Sequence, residues 1–467
     1  MLVLAPALLA ACAVCLHLPA QAQPGNTPAA AVAPASAAGH DDAKAGAGAA
    51  ASAAPPAVDE VRLTRLLAAL AKSRAGSDNY VADGVGPGLL SFDELASVWA
   101  GTRRAGVAAL LQRSQATTPT PAPVQQAVER LERGEVQGLL TWLAEQEAAA
   151  TAAARSFTGA AALQHRLEIA ALARQQGVFA LGVDTQLALA AFRRVLELDG
   201  NDPWSLTAVA DLLAIVNDQA GAAAAYQAAG QLFKAQAGTA GQPTSAPGAA
   251  VDPKGLRHAQ VVCSYRRGEM LAYLDKRDEA APAYREALDQ AEALLRIDDR
   301  PERQVEVANV SDRLAEQFAA LSQPTEALAA HQRSLALAEQ LAQGDPEREA
   351  QWQFYIFDKH EHIADMQLAV GAPDVALTSY RTGLEIGEKL VTLDITNDAW
   401  LGGLLNLIAK LGASTTLDQT GEERRQLVLH GLELLGRVRS GALWDNQDEW
   451  ADRLRQILDD LPPPDGT

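Results

Sequence analysis

The sequence predicts an all-α protein assembled from repeated helical units, and three observations carry that prediction. Of its 467 residues 48% are hydrophobic but only 5% aromatic, so the apolar content is mainly Ala and Leu. Those residues lead the helix-propensity ranking, whereas strands favour β-branched and aromatic side chains. Next, "ALTSYRTGLEIGEKLVTLD" (376–394) echoes "ALAAHQRSLALAEQLAQGD" (327–345), forty-nine residues earlier. Finally, small, aromatic and aliphatic residues keep one phase through several such copies, at spacings that place them on one helical face.

The chain opens with "LVLAPALLAACAVCLHL" (2–18), an apolar run followed by "PAQAQ". The small residues Ala20 and Ala22 suit signal-peptidase cleavage before Gln23, so residues 1–22 read as a signal peptide. The run is short for a membrane span and contains Pro6. Leu9-Ala10-Ala11-Cys12 resembles a bacterial lipobox, which would make Cys12 a lipid anchor; soluble export is the alternative, and both imply a periplasmic or secreted bacterial protein. Residues 23–57, rich in Ala, Pro and Gly, have almost nothing to bury and read as a disordered tether. With Cys12 and Cys15 in the leader, Cys263 stands alone, a small packing residue rather than half of a disulfide.

Between 58 and 120 the pattern predicts two helices, 59–74 and 92–114. Ser91 and Glu94 have the spacing of a capping box at the start of the second. The Gly/Asp-rich stretch 76–88 between them is a connector, since Asp78 and Asp83 lack the spacing of a calcium loop.

The repeats follow. Ala280, Ala327 and Ala376 are anchors 47 and 49 residues apart, with Tyr284, His331 and Tyr380 four residues on. Leu288, Leu335 and Leu384, then Leu294, Leu341 and Leu390, continue the same face, and Asp298, Asp345 and Asp394 mark turns. Each copy therefore contains a helix of about eighteen residues, some 27 Å long. Upstream, Ala188 and Phe192 are echoed 34 residues later by Ala222 and Tyr226, across the turn "LELDGNDPW" (196–204). A fainter copy at 127–150 contributes Gly138, and the low-complexity stretch 235–253 reads as a flexible insertion.

A small residue, an aromatic four later, a Leu-Asp turn and a period of 34 residues resemble the tetratricopeptide repeat, or TPR. The later copies are similar to its longer bacterial variant, with a period near 48 and a turn-plus-Trp signature in "DPEREAQWQ" (345–353) and "DITNDAW" (394–400). Gly200 departs from the usual Pro, and the 235–253 insertion breaks the register. The resemblance implies a right-handed solenoid of helical hairpins, five or six pairs over 121–440. Each pair hides its apolar faces only by stacking on its neighbours. Residues 441–467 read as a capping helix (446–460) and a tail.

Charge narrows the function. Thirty-nine basic and 58 acidic residues leave a formal charge of −19, which argues against nucleic acid and anionic membranes as partners. In TPR proteins the first helix of each pair lines a concave groove that takes peptides or partner helices. Eleven residues before four successive anchors stand Asp211, Glu269, Glu316 and Asp365, all acidic. Asp312, Glu361, Tyr265, Asp358 and Trp204 fall at the neighbouring groove offsets. The reading is an acidic groove for a basic or amphipathic protein segment, with Trp204 and Tyr265 as aromatic anchors. A solvated, non-binding face copied by repeat duplication is the plain alternative. Carboxylate-clamp TPRs use Lys and Asn here, so that activity is not expected.

"FDKHEHIADMQ" (357–367) is the densest cluster of chemistry. Asp358, His362 and Asp365 share a helical face and raise a metal-dependent enzyme as a rival, while His360 falls at a packing position. No nucleophile triad, phosphate loop, paired-Cys site or zincin motif is present. The expectation is a non-enzymatic scaffold without cofactor or metal; the remaining alternative is a structural adaptor of an envelope assembly that uses other surfaces.

Overall fold

In the computed structural model the chain is described over residues 59–73, 90–116, 119–238, 252–417, 419–438 and 447–462. The expected leader, Cys12, the tether, the loop 76–88 and most of the insertion lie outside these residues.

Two helices precede the pairs: α1 (Glu60–Ser73) and α2 (Asp93–Ala116). The pairs are α3 (Ala122–Glu132) with α4 (Gln137–Ala154), α5 (Gly159–Ala180) with α6 (Thr185–Leu198), and α7 (Pro203–Ile215) with α8 (Gln219–Gly238). Then come α9 (Pro253–Tyr273) with α10 (Arg277–Leu295), α11 (Pro301–Ala320) with α12 (Pro324–Gly344), and α13 (Glu349–Ala369) with α14 (Pro373–Leu393). The last pair is α15 (Asp398–Ala413) with α16 (Gly421–Arg437), closed by α17 (Gln447–Asp460). No strand occurs among the described residues, and consecutive helices pack against one another in a TPR-like solenoid. Among the described residues seven pairs stand where five or six were expected. The additional one, α15/α16, lacks the Ala-aromatic anchor and uses Gly431 at its packing contact, against Leu454 and Ile408. The insertion is shorter than its composition suggests, because residues 235–238 complete α8 and Pro253 already opens α9.

The anchors are where the helices meet. Ala222, Ala280, Ala327 and Ala376 are fully buried, with Tyr226, Tyr284, His331 and Tyr380 at most 3% exposed. Two of the aromatics rest on a glycine of the preceding helix: a Cβ at Gly268 would come within 2.9 Å of three ring atoms of Tyr284, and one at Gly177 within 3.0 Å of three of Phe192. The turn inside a pair is also repeated. Asn217, Asp275, Ser322 and Gly371 all take the left-handed conformation. In each case the next residue donates its N–H to the carbonyl five positions back, as Asp218 does to Leu213 and Lys276 to Leu271. This is the Schellman closure of a helix C-terminus, which satisfies carbonyls that the helix itself leaves open.

Between pairs, aspartates organise the entry to the next helix. Asp202 caps α7 through the N–H groups of Trp204 and Ser205, with Pro203 in the first turn. Asp345 accepts from Arg348 and from the Trp352 indole at 3.2 Å, which accounts for the turn-plus-Trp spacing. The core is continuous from Leu63 to Leu337 and continues C-terminally as three smaller clusters. In the last of these Leu454 of α17 packs on α15 and α16.

Candidate functional site

The first helices of successive pairs stand side by side and form one wall, and the predicted acids lie along it. They are not open carboxylates. Asp211 on α7 is 6% exposed, accepts the Tyr226 hydroxyl, and is pushed up to about 6 by burial, against the pull of that hydroxyl and of Arg266. Glu269 on α9 pairs with Arg266 at 3.4 Å, and burial raises it too. Glu316 on α11 accepts from Arg313 at 3.0 Å.

Further along, Asp312 accepts from Lys359 and, at 3.1 Å, from His331. Lys359 also reaches Asp358 at 2.8 Å. Burial opposes its charge, but the two carboxylates hold its pKa well above the usual ammonium value, and it holds both of theirs well below the carboxylate range. His362 stacks on His331 with ring centroids 5.2 Å apart, and Asp358 raises it to about 10, so it is protonated at pH 7. On α13, Glu361 and Asp365 share Lys410 of α15, at 2.5 and 2.7 Å. Asn406 donates to Glu361, and Tyr380 to Asp365.

The pattern is a ladder in which Arg266, Arg313 and Lys359 sit between acids of their own and the neighbouring first helix, and Lys410 reaches across to two acids of α13. Sequence reading found the acids and missed these four cations. Arg266 and Arg313 stand 14 residues before their anchors, but Lys359 stands 17 before Ala376 and Lys410 precedes no alanine anchor, so no single offset collects all four. The pairs Arg266/Glu269 and Arg313/Glu316, three residues apart on one helix, were the available signal.

Trp204 and Tyr265, expected as surface anchors, are 3% and 1% exposed. Trp204 meets Phe233 edge-on at 4.6 Å and Tyr265 meets Tyr284 at 5.6 Å, so both rings are engaged within the pairs. Asp358 and His362, two of the three residues of the metal alternative, are paired with each other, while the third, Asp365, faces Tyr380 and Lys410. Among the described residues no group of three or more His, Cys, Asp or Glu is arranged to hold a metal ion. His360 is half-buried beside Gly383 of α14, its pKa lowered by burial.

Individual groups on the later helices reach solvent, while Lys359, Glu361, Asp312 and Asp358 stay sealed. Side-chain exposure is 16% at Glu269, then 36% at Glu316 and 30% at Asp365, with His362 at 42% and Lys410 at 34%. The walls of α7 and α9 are buried, and the start of α2 lies on α9. Leu90, Phe92, Leu95, Val98 and Trp99 are buried; Trp99 lies 5.4 Å from the ring of Phe192, and Gly106 lies against Phe179 of α5. At the other end of this run, the Arg266 guanidinium donates to the Leu90 carbonyl at 3.2 Å. The ring of His258 lies between Glu94 (2.8 Å) and Glu306 of α11 (2.9 Å). Burial works against the imidazolium, but Glu306 and Glu94 outweigh it and raise its pKa to about 9. Asp93 opens α2 two residues after Ser91, and the Glu94 carboxylate is turned to His258. Leu90 and Glu94 stand far from the charge pattern in sequence, and the fold brings them to it.

On another part of the surface a cleft of about 370 Å³ lies between α14 and α16, with Leu384, Leu411 and Leu427 beside Arg381, Glu388 and His430. No helix among the described residues is long and apolar enough to cross a membrane.

Neither a protein-family model nor a curated protein matches this chain. Solved structures do. The chain is similar to the apo form of RapI over 81% of its own length and 97% of that chain, at 10% identity and a TM-score of 0.39. It is similar to MamA over 50% and 95%, at 15% identity and 0.31. The P58(IPK) TPR domain aligns over 85% and 98%, at 13% identity and 0.22. Likeness this loose in sequence and superposition assigns neither a ligand nor an activity.

Proposed function

We propose that this chain is a non-enzymatic scaffold that holds a protein segment along the first-helix wall of α11, α13 and α15. The observation that carries the reading is selective exposure: the acids of α7 and α9 on this wall are sealed, whereas Glu316, His362, Asp365 and Lys410 reach solvent among neighbours that stay buried. A wall of this kind is held rigid by its own ion pairs yet offers unused lone pairs and N–H groups to a partner.

The partner's charge follows from the pairing. Five carboxylates on this stretch (Asp312, Glu316, Asp358, Glu361, Asp365) face Arg313, Lys359, Lys410 and a protonated His362. The wall is therefore close to neutral, and preference for a basic segment rests on Glu316 and Asp365, the more exposed acids. Rim charges of this sort tune association rate and salt dependence more than affinity.

Photo-crosslinking tests the reading. A crosslinking amino acid at Ser379 or Asn309, beside the wall, is compared with one at exposed Leu429 on α16, in cells, with the captured peptide identified by mass spectrometry. One protein segment trapped from the wall, and lost with Glu316→Lys/Asp365→Lys, is the expected result. Equal capture from Leu429, or capture unchanged by the double substitution, removes the wall as the binding surface and favours the adaptor alternative.

A further inference from the structure

The start of α2 behaves toward the wall as a bound peptide behaves toward a receptor. Leu90 and Phe92, in non-helical backbone, are 3% and 8% exposed. The contact made by Arg266 is to a main-chain carbonyl and so reads backbone rather than side-chain identity. Arg266 itself is 4% exposed and steadied by Glu269. The contact made by His258 is to an acid in the first helical turn, four residues after Leu90. Both receptor groups are side chains of one first helix, 176 and 164 residues away in sequence.

We propose that the α9/α11 part of the wall is a second recognition site, and that the chain's own Leu90–Glu94 is its resident occupant. The partner it takes is a protein segment of the same chemistry: two apolar residues in non-helical backbone, then an acid in the first turn of a helix. Arg266 receives its carbonyl and His258, backed by Glu306, receives its acid. This rests on the scaffold reading above and extends the wall by one pair, α9/α10. A segment tethered in cis acts at an effective concentration of roughly millimolar, so a competing segment binds only when it is abundant or when the cis contact is loosened. Occupancy of the site is thereby coupled to release of α2's first turn, a reciprocal exchange.

The test uses the full chain and a fluorescein-labelled synthetic peptide with the sequence of residues 90–100, followed by anisotropy. Phe92→Ser/Glu94→Arg loosens the resident segment. This variant is expected to bind the peptide at least tenfold tighter than the unaltered chain, and adding His258→Ala is expected to return binding to the unaltered level. Equal binding to both forms, or binding by neither, overturns the proposal. Should the loosened variant lose helix by circular dichroism, hydrogen exchange on the unaltered chain decides instead. Amides of Phe92–Glu94 are expected to exchange at least tenfold faster than those of α9, and equal protection overturns the proposal. Crosslinking from the α13 wall without peptide binding at α9 leaves the scaffold standing and removes only this site; the converse removes the α11–α15 reading and keeps this one.

Discussion

Lys359→Met separates a wall whose acids are structural from one whose acids are free. Lys359 is 2% exposed and lies against Asp312 and Asp358, whose side chains are each 16% exposed. Methionine keeps much of the stem's volume and removes only the charge, leaving two poorly solvated carboxylates side by side. Removing one partner of a buried ion pair costs about 3–5 kcal/mol. His362 stays charged beside Asp358, so the lower end, about 3 kcal/mol, is expected.

The pH dependence carries the sign. In the unaltered chain both carboxylates are held below their ordinary range, so their contribution is complete above about pH 4 and is lost only in stronger acid. Without the ammonium, burial and mutual repulsion push the same groups up, and folding then takes up protons. The deficit should be largest at pH 7 and shrink as pH falls toward 4.5. Thermal unfolding by circular dichroism at both pH values measures it, with Lys359→Met/Asp312→Asn expected to recover about half. A deficit below about 1 kcal/mol, or one unchanged with pH, would refute the assignment of Lys359 as the counterion.

Two further outcomes are expected. Gly268→Ala should destabilise by about 1–3 kcal/mol in denaturant titration despite alanine's better helix propensity, because Tyr284 is 2% exposed and cannot step away; a neutral or stabilising result would show the hairpin is looser than described. Export is proposed from residues 1–22, and mass analysis of the mature N-terminus should give Gln23 for soluble export or a lipid-modified Cys12 for an anchored form. An intact Met1 on protein from the cytosol contradicts both.

What could be read in advance was whatever depends on local period. Ala280, Ala327 and Ala376 recur because a small buried residue sits at each of these hairpin contacts, once per repeat. The acids were visible for the same reason. Their state was not, because Lys359 and Lys410 reach Asp312 and Asp365 from the next first helix, 47 and 45 residues away, and repeat phase does not record which rotamer spans that gap. Trp204 and Tyr265 were placed on the correct helices, but their faces are covered, and no offset within a repeat reports cover supplied from outside it. The α15/α16 pair was lost for a smaller reason: glycine packs where alanine was sought.

The seat of α2 on α9 also changes how the chain folds. A solenoid whose units touch only their neighbours is a linear string, free to fray from either end and to form in any order. The contacts from Leu90 to Arg266 and from Glu94 to His258 close that string into a loop over its N-terminal half. Such a closure is made late, since the entropy of bringing distant residues together must be met before the contact returns anything. Once made, it couples α5 through α11 into a single cooperative block, in keeping with the unbroken core from Leu63 to Leu337. From α13 onward the described residues show no comparable tie, so that end can open and reclose by itself, pair by pair, while the rest stays shut.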